Sequence, residues 1–207
     1  GERENIRIAP DFTNLVKVDV SPFSKFQDRI CVVPNYRMID KTSELERSNY
    51  LPFLIHAIKR LIEMGEDVFI LVHEGADDLK LAKEIGKTFS NIEILVEENP
   101  LNIKGIIGAS KATIGSRFHG LVSALSQGVP SIASGWSHKY QMLFQDYEFE
   151  EGIIKLENYQ EELDSKLDLI INPLNRRLIK EKLTINGEKL KIKTTEMWDD
   201  VFNVIGS

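Results

Sequence analysis

The segment from Gly115 to Gly120, Gly-Ser-Arg-Phe-His-Gly, places an arginine and a histidine where an apolar strand pattern changes into a helical one. A cation at the start of a helix is unfavourable, because the positive end of the helix dipole lies there. The exposed amides of the same turn attract an anion, and an arginine can bind a carboxylate or a phosphate with two parallel hydrogen bonds. Arg117 and His119 therefore predict an anion site, and the two glycines would let the ligand approach the backbone.

A second cationic segment, Gly135-Trp-Ser-His-Lys139, follows the next apolar run. Ser137 is a candidate N-cap for the helix that carries Lys139, whose ammonium would add a second positive charge. Trp136 is a candidate stacking platform for the ligand, or else it packs on its own loop. The other candidate ligand-binding residues are Ser116 and Phe118 in the first segment and Asn35 and Arg37 after an upstream apolar run.

Short apolar runs alternate with amphipathic segments along the chain, which predicts a parallel sheet covered by helices on both faces. The expected fold is an α/β, doubly wound, Rossmann-like domain of five or six strands with a helical C-terminal tail. The predicted strands are 30–34, 68–72, 92–96, 112–114 and 131–133, and the predicted helices are 48–64, 77–89, 101–109, 117–127 and 139–145.

The common strand order 3-2-1-4-5-6 would bring the candidate residues together. In such a sheet, ligands bind outside the carboxyl ends of the strands, where the strand order reverses. The first, fourth and fifth strands lead into the loops 34–38, 115–120 and 134–140. These three loops should therefore share one rim, with Arg37 facing Arg117.

The flanking segments differ from this domain. Residues 1–28 contain one short strand pattern, at 5–12, and are interpreted as a remnant of, or a linker to, an N-terminal domain. Residues 29–158 form the predicted Rossmann-like domain, which would carry the anion site. Residues 159–207 should be mostly helical, with breaks at Pro173 and at Asn186-Gly187, and should pack on the domain or cross to the absent one.

Composition narrows the function classes. The net charge of −6 over 207 residues disfavours nucleic acid as a partner. The single cysteine, Cys31, lies in an apolar run, which predicts a buried side chain and excludes a disulfide within the chain. No apolar run has the length of a membrane helix, and we expect a cytoplasmic protein. Asp77 and Asp78 are acids in the first turn of a helix, where the dipole favours them, so no metal site is predicted.

Three ordered blocks carry a family resemblance: VVPNYRM, VFILVHEGADD and SRFHGLVSALSQGVPSIASGWSHKYQMLF. Over residues 30–147 the chain resembles the polysaccharide pyruvyl transferases, whose architecture is similar to that of two-domain GT-B glycosyltransferases. The resemblance implies transfer of a pyruvyl group from phosphoenolpyruvate to a sugar diol, as a ketal. Phosphoenolpyruvate is then a substrate, and no further cofactor is expected.

The resemblance also implies residue roles. Arg117 would hold the carboxylate or phosphate of phosphoenolpyruvate, and His119 would be a general acid or base. Arg37 would be a second anion contact, and Lys139 matches the lysine of the last block. Because an imidazole titrates near neutral pH, His119 can exchange protons there, and we expect neighbouring arginines to lower its pKa.

Several alternatives stay open. Arg117 and His119 could form a polar network that braces the helix, and the loop of His73 could be structural or could contact the ligand. A GT-B glycosyltransferase that uses a nucleotide sugar would need a carboxylate for the ribose, for which Glu148, Glu150 and Glu151 are the candidates. A non-catalytic binding domain is the third possibility. Compared with the family, the chain is expected to lack the N-terminal domain with its acceptor wall. Trp198 and Phe202 of the last helix, which would cross to that domain, would then be left partly uncovered, and this predicts weak self-association.

Overall fold

A computed structural model describes residues 7–135 and 137–206, which form one five-stranded, fully parallel sheet flanked by helices. The strand order is β3-β2-β1-β4-β5, so the predicted doubly wound fold and its strand order are confirmed. The strands are β1 (Arg29–Val33), β2 (Asp67–Val72), β3 (Glu93–Val96), β4 (Ala112–Gly115) and β5 (Ser131–Ala133).

The strands are apolar at successive positions because both faces of the sheet are covered. In β1, Ile30 and Val32 pack into the core on one face, and Cys31 and Val33 pack into the core on the other. Cys31 is fully buried, as predicted, and this burial raises the pKa of its thiol far above the usual range. The thiol is therefore an inert part of the core.

In the described ranges, eight α-helices surround or follow the sheet. The helix α2 begins four residues earlier than predicted, because Ser43 and Glu46 form a capping box at its start. The helices are α1 (Arg37–Asp40), α2 (Glu44–Glu63), α3 (Gly75–Gly86), α4 (Pro100–Ala109), α5 (Phe118–Leu125), α6 (His138–Asp146), α7 (Tyr159–Ile171) and α8 (Pro173–Ile205). In the described part of the chain, no helix combines the length and the apolarity needed to cross a membrane.

The C-terminal tail differs from the prediction at one of its two breaks. The break before Pro173 is confirmed, since α7 ends there and Asn172 caps α8. The break at Asn186-Gly187 is wrong, and α8 continues through it. Asn186 is buried and donates a hydrogen bond to the carbonyl of Tyr147, and Gly187 lies against the Tyr147 ring. The two residues dock the helix on the domain, which a turn-like sequence pattern does not reveal.

The N-terminal segment packs on the same side of the domain as α8. The strand predicted at 5–12 is wrong for its described part, because residues 7–11 are irregular and Phe12–Leu15 is a short 3-10 helix. Its first two residues lie outside the described range. Asn14 bonds Thr194 of α8 at 3.0 Å, and Phe12 packs edge-on against Trp198. Trp198 is therefore partly covered, whereas the Phe202 side chain that stacks on it is exposed.

Candidate functional site

The carboxyl ends of β1 and β4 are joined by a buried polar bridge. Asn35 donates from Nδ2 to the carbonyl of Ser116 at 2.6 Å, and Tyr140 donates its hydroxyl to the same carbonyl at 2.8 Å. The Oδ1 atom of Asn35 accepts the backbone amide of Arg37 at 2.9 Å. The Ser116 hydroxyl lies 2.8 Å from that of Ser134. The predicted residues Asn35 and Ser116 thus hold the loops of the rim in position.

Arg117 is bonded to two carboxylates of different exposure. Its Nε donates to Asp78 at 2.7 Å and its Nη1 donates to Glu74 at 2.6 Å. The Asp78 side chain is 0% exposed, whereas that of Glu74 is 69% exposed. Asp78 also accepts the backbone amide of Tyr36 at 2.9 Å, so it links the loop after β1 to Arg117. This network is the bracing alternative raised by the sequence, and it still leaves Arg117 at the rim.

The predicted second anion contact, Arg37, lies in the first turn of α1. Its guanidinium is half exposed and pairs with Asp40, three residues further on. Asp78 joins the loop of Arg37 to Arg117 through Tyr36. The two predicted arginines therefore belong to one rim, and Arg37 reaches it from an exposed position.

His119 pairs with a carboxylate that the sequence analysis missed. Its Nε2 lies 3.6 Å from Oδ2 of Asp11, in the segment before the domain. This contact raises the pKa of His119 above its usual 6.5 and lowers that of Asp11 to about 2. The expected lowering of the His119 pKa by arginines is therefore wrong, because the contact with Asp11 outweighs the lowering by burial and by Lys139. The two residues are far apart in sequence, and no local pattern relates them.

Phe118 and Lys139 line a cavity of about 290 Å³ beside this pair. The Lys139 ammonium lies 4.5 Å from the centre of the Phe118 ring, a cation–π arrangement that brings α6 to the start of α5. Asp11 lines the same cavity and so connects it with His119. The remaining lining residues are Ile8, Ala9, Pro10, Met142, Leu143, Asp146, Leu190 and Lys193.

Residues 1–138 of the chain match the sequence model of one family, polysaccharide pyruvyl transferase. The chain belongs to that family. The matched range contains Arg37, Arg117 and His119, and it ends one residue before Lys139. A search of curated proteins found no match.

Solved structures with GT-B-like folds resemble this member of the family at low sequence identity. A candidate UDP-N-acetylglucosamine 2-epimerase from Listeria monocytogenes has a TM-score of 0.60 at 13% identity, over 94% of this chain and 50% of that one. MnaA of S. aureus with UDP has a TM-score of 0.58 at 11% identity, over 93% and 49%. An α,α-trehalose-6-phosphate synthase from Burkholderia multivorans has a TM-score of 0.54 at 9% identity, over 89% of this chain and 45% of that one. These likenesses show the fold, and the chain spans about half the length of each protein.

The other predicted site residues that the structure describes lie at the rim with different surroundings. Ser137 precedes α6, but the predicted cap is wrong, because its hydroxyl is buried and bonds no described residue. Trp136 lies outside the described residues. Gly115 ends β4, and Gly120 lies in α5 against His73. Added Cβ atoms would make only ordinary contacts of 3.5 Å or more at both glycines, so packing alone does not require glycine there.

His73 is a further rim residue that the sequence left undecided. It follows β2, and its ring lies against Gly120. Its Nδ1 is buried without a hydrogen bond to any residue in the described ranges. Burial, helped by the charge of Arg117, lowers the pKa of His73 and so favours the neutral ring. The signal in the sequence was a polar residue directly after a buried strand.

We predict that Asp11→Asn lowers the pKa of His119 towards its usual 6.5, because the main interaction that raises it is lost, while burial and Lys139 still lower it and Glu74 raises it only slightly. NMR titration of the imidazole protons measures this shift. The contribution of the pair to stability should be complete between pH 3.8 and 6.5, where Asp11 is ionised and His119 is protonated in both the folded and the unfolded chain. It should be lost as the pH rises through the raised pKa of His119, or falls towards that of Asp11.

The matched control is Asp19→Asn. Asp19 is an exposed carboxylate in the same segment that accepts the amide of Ser21. This variant should leave the His119 titration unchanged. An unchanged pKa of His119 in Asp11→Asn would show that the pair does not form.

Proposed function

We propose that this chain is the donor-binding part of a pyruvyl transferase, which moves a pyruvyl group from phosphoenolpyruvate to a sugar diol as a ketal. The observation that carries the proposal is Arg117, which lies at the carboxyl end of β4 two residues before His119, within the range that matches the family. A guanidinium at this end of a doubly wound sheet occupies the usual position of a ligand contact.

The reaction needs two new C–O bonds at C2 of phosphoenolpyruvate, one formed by addition and one by substitution. One sugar hydroxyl bonds to C2 while the methylene carbon takes up a proton, and the second hydroxyl then displaces phosphate from C2. The ketal and inorganic phosphate are the products. The protein must supply a proton, accept the hydroxyl protons and stabilise the charge on the leaving phosphate.

We propose His119 as the proton donor to the methylene carbon. Its contact with Asp11 raises its pKa, which favours the protonated form near neutral pH. Arg117 would bind the carboxylate or phosphate of the donor, with Arg37 and Lys139 as further positive charges at the rim. We propose no metal ion and no cofactor besides the donor substrate.

The saccharide acceptor belongs to the same proposal. Because the chain spans about half of its structural neighbours, part of the acceptor site would come from a further domain or from another chain. The cytoplasmic location, where phosphoenolpyruvate is available, also stays a prediction.

The glycosyltransferase alternative has less support from the site. It needs carboxylates that face a nucleotide ribose, and the candidates follow α6. Glu151 instead pairs with Lys182 of α8 at 2.9 Å, and the carbonyl of Glu148 accepts a bond from the same lysine. This loop is therefore tied to α8.

Titration calorimetry with phosphoenolpyruvate and with a UDP-sugar tests the proposal. We expect phosphoenolpyruvate to bind and Arg117→Lys to weaken that binding about ten- to hundredfold, since lysine keeps the charge but loses the paired hydrogen bonds. Arg177→Lys, at an exposed position of α8, is the matched control and should bind as the wild type does. Preferential binding of the UDP-sugar would favour the glycosyltransferase. Undiminished binding of phosphoenolpyruvate by Arg117→Lys would refute the site.

A further inference from the structure

We infer that Glu74 is an exchangeable counter-ion of Arg117, which the anionic group of the donor displaces, while Asp78 is the permanent one. The inference rests on the proposed function, because it takes Arg117 as the donor contact. It assigns positioning to Asp78 and control of anion affinity to Glu74.

Asp78 has the properties of a permanent partner. Its carboxylate is fully buried and bonds both Nε of Arg117 and the backbone amide of Tyr36. A buried carboxylate that loses its cation is strongly destabilised, so this contact should survive ligand binding. It holds the guanidinium with Nε turned into the protein, which leaves the Nη atoms at the rim.

Glu74 has the opposite properties. Its side chain is largely exposed, and its 2.6 Å contact with Nη1 of Arg117 is the hydrogen bond that holds it. It lies in the turn between β2 and α3, directly before Gly75, whose φ of 72° is a conformation that favours glycine. An exposed ion pair contributes little to stability, so a ligand with more charge can replace this carboxylate.

The local charge also requires an exchange. While both carboxylates are bound, one guanidinium faces two negative charges, and a phosphate or a carboxylate that approaches Nη1 must compete with Glu74 for that atom. After Glu74 leaves, Arg117 and Asp78 form a neutral pair whose open Nη atoms can bind the anion. The site therefore suits ligands with a phosphate or several carboxylate charges better than singly charged ones.

Isosteric substitutions of the two carboxylates that bind Arg117 should have opposite effects on anion affinity. By calorimetry with inorganic phosphate and with phosphoenolpyruvate, we expect Glu74→Gln to bind both about three- to tenfold more tightly than the wild type, because competition and repulsion are removed together. Asp78→Asn should bind more weakly, since Arg117 loses its fixed position. A role of Glu74 that was only structural would not increase affinity.

Glu84→Gln is the matched control, because it removes one exposed charge from α3 at a residue that pairs with Lys87. It should leave both affinities unchanged. Glu74→Gln decides the inference alone if Asp78→Asn does not fold. Equal or weaker anion binding by Glu74→Gln, or no binding of either anion by any variant, would overturn the inference. Tighter phosphate binding without any binding of phosphoenolpyruvate would support the exchange and refute the proposed donor.

Discussion

Replacement of Asn35 by aspartate is expected to destabilise the domain by about 3 kcal/mol at pH 7 and to weaken anion binding at the rim. The substitution keeps the shape of the side chain but removes the donor to the Ser116 carbonyl, and it places a buried carboxylate 2.6 Å from that oxygen. Since the introduced carboxyl group can donate again when it is protonated, the loss should be smaller at pH 5. Urea unfolding at the two pH values measures both effects.

The matched control for this prediction is Asn99→Asp. Asn99 is the exposed N-cap of α4 and accepts the amide of Leu101 at 2.9 Å. Aspartate caps a helix as well as asparagine does and is favoured by the helix dipole, so this change should stay within about 0.5 kcal/mol. Similar losses of stability for both variants would show that the bridge between β1 and β4 contributes no more to stability than an exposed helix cap does.

The stability of the protein is expected to rise between about pH 8 and pH 10.5 through the titration of Lys104. Lys104 is buried, and its ammonium lies 3.2 Å from the carbonyl of Thr13 and from the hydroxyl of Ser126. Burial, with a smaller effect from Lys191, lowers the pKa of Lys104 to about 8. Because the unfolded chain holds this proton until pH 10.5, the folded state gains up to ~3 kcal/mol across the window.

The difference in the free energy of unfolding between the wild type and Lys104→Met separates this effect from the effects of other titrating groups. Urea unfolding at several pH values should show that the free energy of unfolding of the wild type increases relative to that of the variant as the pH rises from 8 to 10.5. A constant difference would mean that Lys104 keeps its usual pKa. The result also bears on the site, because the bond to Thr13 anchors the segment that brings Asp11 to His119.

Two cationic side chains of the described rim are each held by a carboxylate from another part of the fold. Arg117 is held by Asp78 of α3, and His119 contacts Asp11 of the N-terminal segment. The carboxylates set the position of the first residue and the protonation of the second. Predictions that concern only Arg117 and His119 therefore leave out the residues that tune them.

The strand order rests on the common arrangement of such sheets rather than on this sequence. The amino-acid sequence alone predicts the α/β class, the parallel sheet, and the position of Arg117 and His119 after the fourth strand. These features follow from local patterns: continuous apolar strands, amphipathic helices, and cations at a helix start where the dipole disfavours them. The capping box of α2 is also visible in the sequence, although apolar spacing alone predicts that the helix begins at residue 48.

The tertiary structure was needed to show which charged residues pair and which of the predicted helix breaks exist. The pairs of Arg117 with Asp78 and of His119 with Asp11 join residues 39 and about 108 positions apart, and periodicity carries no information about such contacts. The same applies to Asn186 and Gly187, which resemble a turn but lie inside α8, because the surface of Tyr147 favours a small residue and a hydrogen-bond donor there. Local patterns therefore placed the candidate site residues at the end of the sheet, and packing between distant segments determined their charge partners and their protonation.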